Sequence, residues 1–481
     1  MLEIQLNEDN FQYDIFSLAK AFLPGEEIKV VIGTESTDAK NILFVRYLTE
    51  GVEISLKTAI EKEISESILW NSKERKERKN QLKKLLYSIM SAYTKKGLPW
   101  GNLTGIRPIK LPLSMLEKGK SPEEIRQNLE EIYCMSRQKA DLSLEIAQKE
   151  LQELKKFDYK SGYSLYVGIP FCPTTCLYCS FTSYPIGLWK DRTQEYLQAL
   201  FKEIEYISKT MAHKRLDTVY IGGGTPTTLN EEELRQLIEF IYEKFDCSNL
   251  KEFCVEAGRP DSITGSKLRM LSENRIHRIS INPQTMNDET LKLIGRHHTV
   301  EDIKRSFYMA KEVGLTVNMD IILGLPGERM EHLQHTLSEI KKLDPESLTV
   351  HSLALKRAAR LNIEKESYLK SINAAPEVMM QEAERMAREM EMTPYYLYRQ
   401  KNMGGNLENV GYAKEGDICL YNILIMEEKQ TIIGAGAGAM TKYVVSENEI
   451  IRVENVKDVT NYIKRVDEMI ARKKEVLCSH E

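Results

Sequence analysis

The chain has 481 residues, 42% of them hydrophobic and 29% charged, a balance that buries a sizeable core, excludes global disorder and, at ~150 residues per domain, leaves room for about three domains. Lys and Arg number 67 against 71 Asp and Glu, a net charge of −4, which argues against an overall basic nucleic-acid binder. No apolar run reaches the ~18 residues of a membrane span, and the polar, acidic start MLEIQLNEDN lacks a secretory signal's character, so a cytoplasmic protein with no membrane partner is expected.

In chain order, IKVVIG (28–33) and ILFVRYL (42–48) predict strands and residues 71–95 a long helix. Two more helices are predicted between Ser121 and about Lys156, opened by Ser121-Pro122-Glu123-Glu124. From Ser164 six short apolar strands recur, at 164–169, 218–223, 252–257, 278–282, 316–323 and 347–354. Helical patterns such as 231–245 and 262–274 follow the first five; 364–370 and 375–392 follow the sixth. Alternating strands and helices with right-handed crossovers give a parallel sheet, and six units curl into a partial (β/α)6 barrel with its site at the C-terminal strand ends. The expected architecture is α/β: an N-terminal α+β domain (1–158), the barrel (159–392) and a C-terminal α+β extension (393–481) covering the substrate. In the last, CLYNILIM (419–426) predicts a strand, and a C-terminal helix closes the chain.

Each barrel strand exits into polar or glycine-rich residues: IPFCPTTCLYC, GGGTPT, EAGRPD, NPQT, GLPGE and LKR. Of eight cysteines, five are scattered; Cys172, Cys176 and Cys179 crowd into one C-x3-C-x2-C loop. Thiolates so spaced wrap an iron–sulfur cluster. Three sulfurs for four irons leave one iron open to a further ligand. A zinc knuckle needs a fourth ligand, and no His or Cys follows within about thirty residues.

GIPFCPTTCLYCSF, GGGTPT, VNMDIILGLPGE and YYLYRQKNMGGNLENVGY together resemble the radical SAM superfamily, within it the oxygen-independent coproporphyrinogen III oxidase (dehydrogenase) family, and most of all its HemZ-like branch. The resemblance implies that Cys172, Cys176 and Cys179 ligate a [4Fe–4S] cluster whose fourth iron is chelated by S-adenosyl-L-methionine (SAM). It implies reductive cleavage of SAM to a 5′-deoxyadenosyl radical. Tyr166 would lie near cluster and cofactor, as would Phe181. Gly223, Gly224 and Thr225 would contact the methionyl part of SAM. Glu256, Gln284, Arg296 and Asp320 would be further SAM contacts, and Ala354 would offer its backbone to adenine. From the residues alone, Asp320 within an apolar strand is either a ligand or a structural ion pair. Two positions depart from the archetype: Gly168 stands where it often has His, and Phe181 where it has a fourth Cys. A Phe there also occurs in a haem-trafficking relative.

The implied reaction, in haem and porphyrin biosynthesis, is oxidative decarboxylation of coproporphyrinogen III propionates to vinyl groups. It needs a reducing partner such as flavodoxin or ferredoxin and an external electron acceptor. A tetrapyrrole with four propionates calls for cations and apolar walls, for which residues 395–400, Arg107, Lys356 and Arg357 are candidates, with interdomain packing as the alternative for the tyrosines. His297, His298 and His351 are read as hydrogen-bonded structure before proton carriers. GAGAGA (434–439) reads as a close-packed strand or turn, not a dinucleotide site. The basic run 73–84 reads as a solvated helix face. Rival functions are a haem chaperone of the same fold, a radical SAM tetrapyrrole methyltransferase or haem-opening enzyme, and a radical SAM RNA-modifying enzyme.

Overall fold

The computed structural model describes residues 1–33, 39–59, 63–179, 183–353, 376–400, 407–447 and 449–478. They form two compact units, Met1–Gln148 joined by Arg399 and Gln400, and Lys149–Tyr398 joined by the C-terminal segment.

In the first unit, β1 (Leu2–Leu6), β2 (Ile28–Ile32), β3 (Asn41–Tyr47), β4 (Gly51–Lys57) and β5 (Glu63–Leu69) make one sheet in the order β2-β1-β3-β4-β5. The apolar faces of helices Gln12–Phe22 and Arg75–Thr94 share a buried core with it, including Ile4, Leu43, Ile54, Leu82 and Leu86. The start signal at Ser121 is a full capping box: its side chain accepts from Glu124 N while the Glu124 carboxylate accepts from Ser121 N. Helices Pro122–Glu131 and Arg137–Leu154 follow as expected.

In the second unit the six expected strands are β6 (Gly162–Ile169), β9 (Arg215–Gly223), β10 (Glu252–Glu256), β11 (Arg278–Ser280), β12 (Thr316–Leu323) and β13 (Ser347–Ser352), with β7 (Phe171–Cys172) and β8 (Tyr184–Pro185) a short separate pair. The six run parallel, β6 beside β9 and on to β13. Strand period two sorts their side chains. Leu165, Val167, Val219, Ile221, Phe253, Ile279, Val317 and Val350 are fully or almost fully buried on one face. The other face carries Tyr166, Tyr220, Cys254, Glu256, Ser280, Asn318 and Asp320. Register aligns Tyr166 with Tyr220, Glu256 with Ser280, and Ser280 with Asn318.

Two expectations need correction. Residues 419–426 are not a strand: Leu420–Glu427 is an α-helix, and a short, largely apolar run of that length does not by itself separate a buried helix from a strand. The segment from 393 is not a domain apart. β14 (Thr393–Tyr398) and β15 (Asn409–Ala413) extend the sheet beyond β13, while β16 (Thr431–Ala435), β17 (Met440–Ser446) and β18 (Glu449–Glu454) extend it beyond β6. Backbone pairing of that length builds one eleven-stranded sheet. GAGAGA is the close turn expected, from β16 into β17, with Gly436 at φ 100°. A Cβ on Gly436 would sit 2.4 Å from the Gly168 carbonyl oxygen. No helix among the described residues is long and apolar enough to cross a membrane.

Candidate functional site

The cysteine loop leaves β6 and is held on both sides by backbone. Gly224 N donates to Ile169 O and Thr225 N to Phe171 O, both at 2.7 Å, so the GGGT turn after β9 lies directly against it. Only glycine fits there: a Cβ on Gly224 would approach Phe171 O to 2.5 Å, and Gly223 has φ 110°. Across the loop, Leu177 N donates to Ile294 O at 3.0 Å and the Thr174 hydroxyl to Gly295 O at 3.1 Å.

Two sulfurs already receive donors. The Thr225 hydroxyl donates to Cys172 Sγ at 3.5 Å and Arg259 Nη1 to Cys176 Sγ at 3.6 Å. Burial pushes the Cys172 thiol pKa up, a cost that metal ligation removes by deprotonating the thiol outright. Arg296 is buried beside Cys176 and Tyr178. Its guanidinium donates to Asn282 O.

Tyr166 stacks on Tyr220 at 6.3 Å between ring centroids and on Tyr421 at 6.4 Å, while Tyr220 and Tyr421 stack at 4.4 Å. These rings and helix Leu420–Glu427 floor the barrel's polar face. Above them Glu256 accepts from the Tyr220 hydroxyl at 2.6 Å. Burial pushes its pKa up to about 7, the Tyr220 hydrogen bond opposing and the Asp320 charge adding. Asp320 accepts from Asn318 Nδ2 at 2.7 Å and lies 3.5 Å from His351 Nε2. Asp320 and His351 are thus neighbours on adjacent strands. Gln284 is held by its backbone, donating to Asp320 O at 2.9 Å with φ 66°.

Around this crown the buried atoms Ser280 Oγ, Asn282 Oδ1, Gln284 Oε1 and Arg296 Nε have no hydrogen-bond partner among the described residues. Buried polar atoms are seldom left so. All four lie in one segment, from Ser280 at the end of β11 through the loop after it to Arg296 beside Cys176, and with three soft thiols and a glycine turn without side chains they fit a polar cofactor bearing amino, carboxylate and hydroxyl groups next to an iron–sulfur cluster.

Of the predicted site residues, Tyr166, Cys172, Cys176, Cys179, Gly223, Gly224, Thr225, Glu256, Gln284, Arg296 and Asp320 lie at these neighbouring strand ends and on the loops they feed. Phe181, Ala354, Lys356, Arg357 and the stretch 364–370 lie outside the described residues. The aromatic run 395–398 is largely interior: Tyr395 and Tyr396 are buried, and Tyr398 meets His351 at 3.4 Å. Arg399 is buried in the first unit, donating to Leu103 O and lying over Trp100. The basic run is partly engaged, since Arg75 donates to Asn10 and lies over Phe11, and Lys83 donates to Thr104. Sequence reasoning missed Arg259, Thr174, Tyr220 and Tyr421. Tyr220 was within reach through its even spacing with Gly222 on β9; Tyr421 was hidden in the misassigned strand.

Residues 166–340 match the family model described as the radical SAM superfamily. The Bacillus subtilis (strain 168) oxygen-independent coproporphyrinogen-III oxidase-like protein HemZ is 42% identical over 82% of this chain and 79% of its own length. The heme chaperone HemW of the same organism is 35% identical over 63% of this chain and 76% of its own length. Among solved structures, the Escherichia coli coproporphyrinogen III oxidase HemN, a radical SAM enzyme by its description, aligns with a TM-score of 0.52 and 23% identity over 67% of this chain and 73% of that one, a likeness of fold.

Proposed function

This chain belongs to the radical SAM superfamily, in the family of the HemN, HemZ and HemW proteins, and from that premise we propose that it oxidatively decarboxylates the propionates of coproporphyrinogen III to vinyl groups. The family uses a [4Fe–4S] cluster and SAM. In this chain Cys172, Cys176 and Cys179 would hold the cluster. When bound and reduced, the pair would supply radical hydrogen-abstraction chemistry for the propionate β-carbon.

The chain's own part is to bind, orient and exclude water. Gly223, Gly224 and Thr225 bring backbone without bulky side chains close to the cysteine loop, which leaves room for the methionyl part of SAM beside it. Glu256 and Asp320 offer carboxylates to ribose hydroxyls or to a sulfonium charge. Gln284 and Arg296 carry buried polar atoms without hydrogen-bond partners among the described residues. The stacked tyrosines close the floor against solvent. Orphaned polar atoms on the segment after β11, which reaches the cysteine loop at Arg296, are the observation that carries the cofactor assignment. The substrate choice is supported by the 42% identity to a protein named coproporphyrinogen-III oxidase-like. A flavodoxin or ferredoxin would reduce the protein, and a separate acceptor would take the electron left after CO2 departs.

A haem-carrying role is the second reading, favoured by the 35% identity to a heme chaperone and by Phe181 in place of a fourth cysteine. One anaerobic incubation with reductant, SAM and coproporphyrinogen III separates the two. Protoporphyrinogen, CO2 and methionine are expected. Stoichiometric haem binding with no CO2 release would overturn the catalytic reading, and S-adenosylhomocysteine would replace it with methyl transfer.

A further inference from the structure

Arg259 leaves β10 through EAGRPD and is only 3% exposed. Its planar fork is divided. Nε and Nη2 donate to the two Asp261 carboxylate oxygens at 3.0 and 2.6 Å. Nη1 turns the other way, donating to Thr174 Oγ1 at 2.9 Å, to Thr174 O at 3.3 Å and to Cys176 Sγ at 3.6 Å. A buried guanidinium is strongly unfavourable without a counter-charge, and Asp261 supplies one. Asp261 does not account for the aim at sulfur. That aim is fixed by Thr174, two residues before Cys176, whose hydroxyl is in turn tied to Gly295 O.

A donor on a metal-bound thiolate withdraws electron density from the metal, and hydrogen bonds and nearby charge set the potentials of iron–sulfur clusters. A cation held on one ligand sulfur favours the reduced, more negative cluster. The neighbouring carboxylate opposes it and reduces the effect. Thr225 gives Cys172 a neutral donor, so the two sulfurs are treated differently, and only Cys176 receives a formal charge from these two side chains.

We propose that Arg259 is a positioning residue that raises the reduction potential of the cluster through Cys176, with Asp261 moderating it. This rests on the reading that Cys172, Cys176 and Cys179 hold that cluster. The two members of the pair then act in opposite directions, which a purely structural salt bridge does not.

The test is an EPR-monitored redox titration of the anaerobically reconstituted full chain without SAM, with iron counted in each sample. Arg259→Met is expected to shift the one-electron reduction equilibrium about tenfold toward the oxidised state, about 59 mV more negative. Arg259→Lys, which keeps the charge, recovers part of the shift. Asp261→Asn leaves the guanidinium unopposed and moves the midpoint the other way. Parent-like midpoints in Arg259→Met and Asp261→Asn at four irons per chain would overturn the proposal, as would shifts of the same sign. If Arg259→Met does not load four irons, Asp261→Asn decides alone, a parent-like or more negative midpoint refuting it. A parent chain that itself lacks four irons is a distinct result: it removes the cluster reading, and this inference with it.

Discussion

Glu256 keeps its proton up to about pH 7 because its carboxyl is taken out of water and faces the Asp320 charge. A cofactor that brings a sulfonium charge and ribose hydroxyls favours the carboxylate, so binding releases a proton wherever the free site is protonated. SAM affinity of the reconstituted protein is therefore expected to be level above pH 7 and to weaken as pH falls below it, approaching tenfold per unit. Glu256→Gln should bind more weakly at pH 8 and lose that pH dependence. Calorimetry in two buffers of different ionisation enthalpy reads the proton directly, and equal proton release by parent and variant would count against the contact. At this scale the sequence is legible where chemistry is local. C-x3-C-x2-C is legible on its own, because three thiols within one loop need no fold to bring them together. Arg259 meets Cys176 across 83 residues, and nothing in its immediate neighbours announces that meeting.

Helix Leu420–Glu427 shows what an element can hide. Its sequence is largely apolar because it is buried: Tyr421 lies against Tyr220 and Tyr166, while Ile423 and Leu424 join a core with Tyr395 and Ile432. A helix covered on many sides loses the amphipathic period that identifies surface helices. The barrel strands were legible for the opposite reason, since each is a short apolar run between turn signals and recurs with a helix between. The Tyr421 hydroxyl has no hydrogen-bond partner among the described residues. Tyr421→Phe should then be neutral or slightly stabilising, since an unsatisfied buried hydroxyl costs about 1–3 kcal/mol. Tyr421→Ala should cost about 3–5 kcal/mol through the cavity left under Tyr220. Urea denaturation measures both. If Tyr421→Phe proves as damaging as Tyr421→Ala, the hydroxyl has a partner in the loaded protein and the floor is more than packing.

At the scale of the whole molecule, the last ninety or so residues complete the sheet at both edges, and that was not legible because pairing between distant residues, such as Thr431 with Tyr163, leaves no local trace. What fastens the far edge is a buried polar cluster within the second unit. Lys473, fully buried on helix Val466–Leu477, donates to Glu203 at 2.6 Å and to Asn455 at 2.7 Å. The Glu203 carboxylate also accepts from Gly436 N at 2.8 Å, from Asn455 Nδ2 at 2.8 Å and from the Tyr462 hydroxyl at 2.5 Å. Gly436 belongs to the turn that lies on Gly168, and the Tyr196 hydroxyl bridges the two sides, donating to Gly168 O at 2.6 Å and accepting from Ala437 N at 3.0 Å. The cluster thus reaches the end of β6 four residues before Cys172. Lys473→Met leaves Glu203 charged and buried without its cation, so it should cost about 3–5 kcal/mol, whereas Glu203→Gln with Lys473→Met removes both charges and should recover most of it. Since the turn braces the strand that feeds the cysteine loop, the single variant should also lose iron at denaturant concentrations below its unfolding midpoint. Denaturation followed in parallel by far-ultraviolet circular dichroism and by the cluster's visible absorbance checks this. Coincident curves in parent and Lys473→Met would show that the brace supports the sheet without supporting the loop.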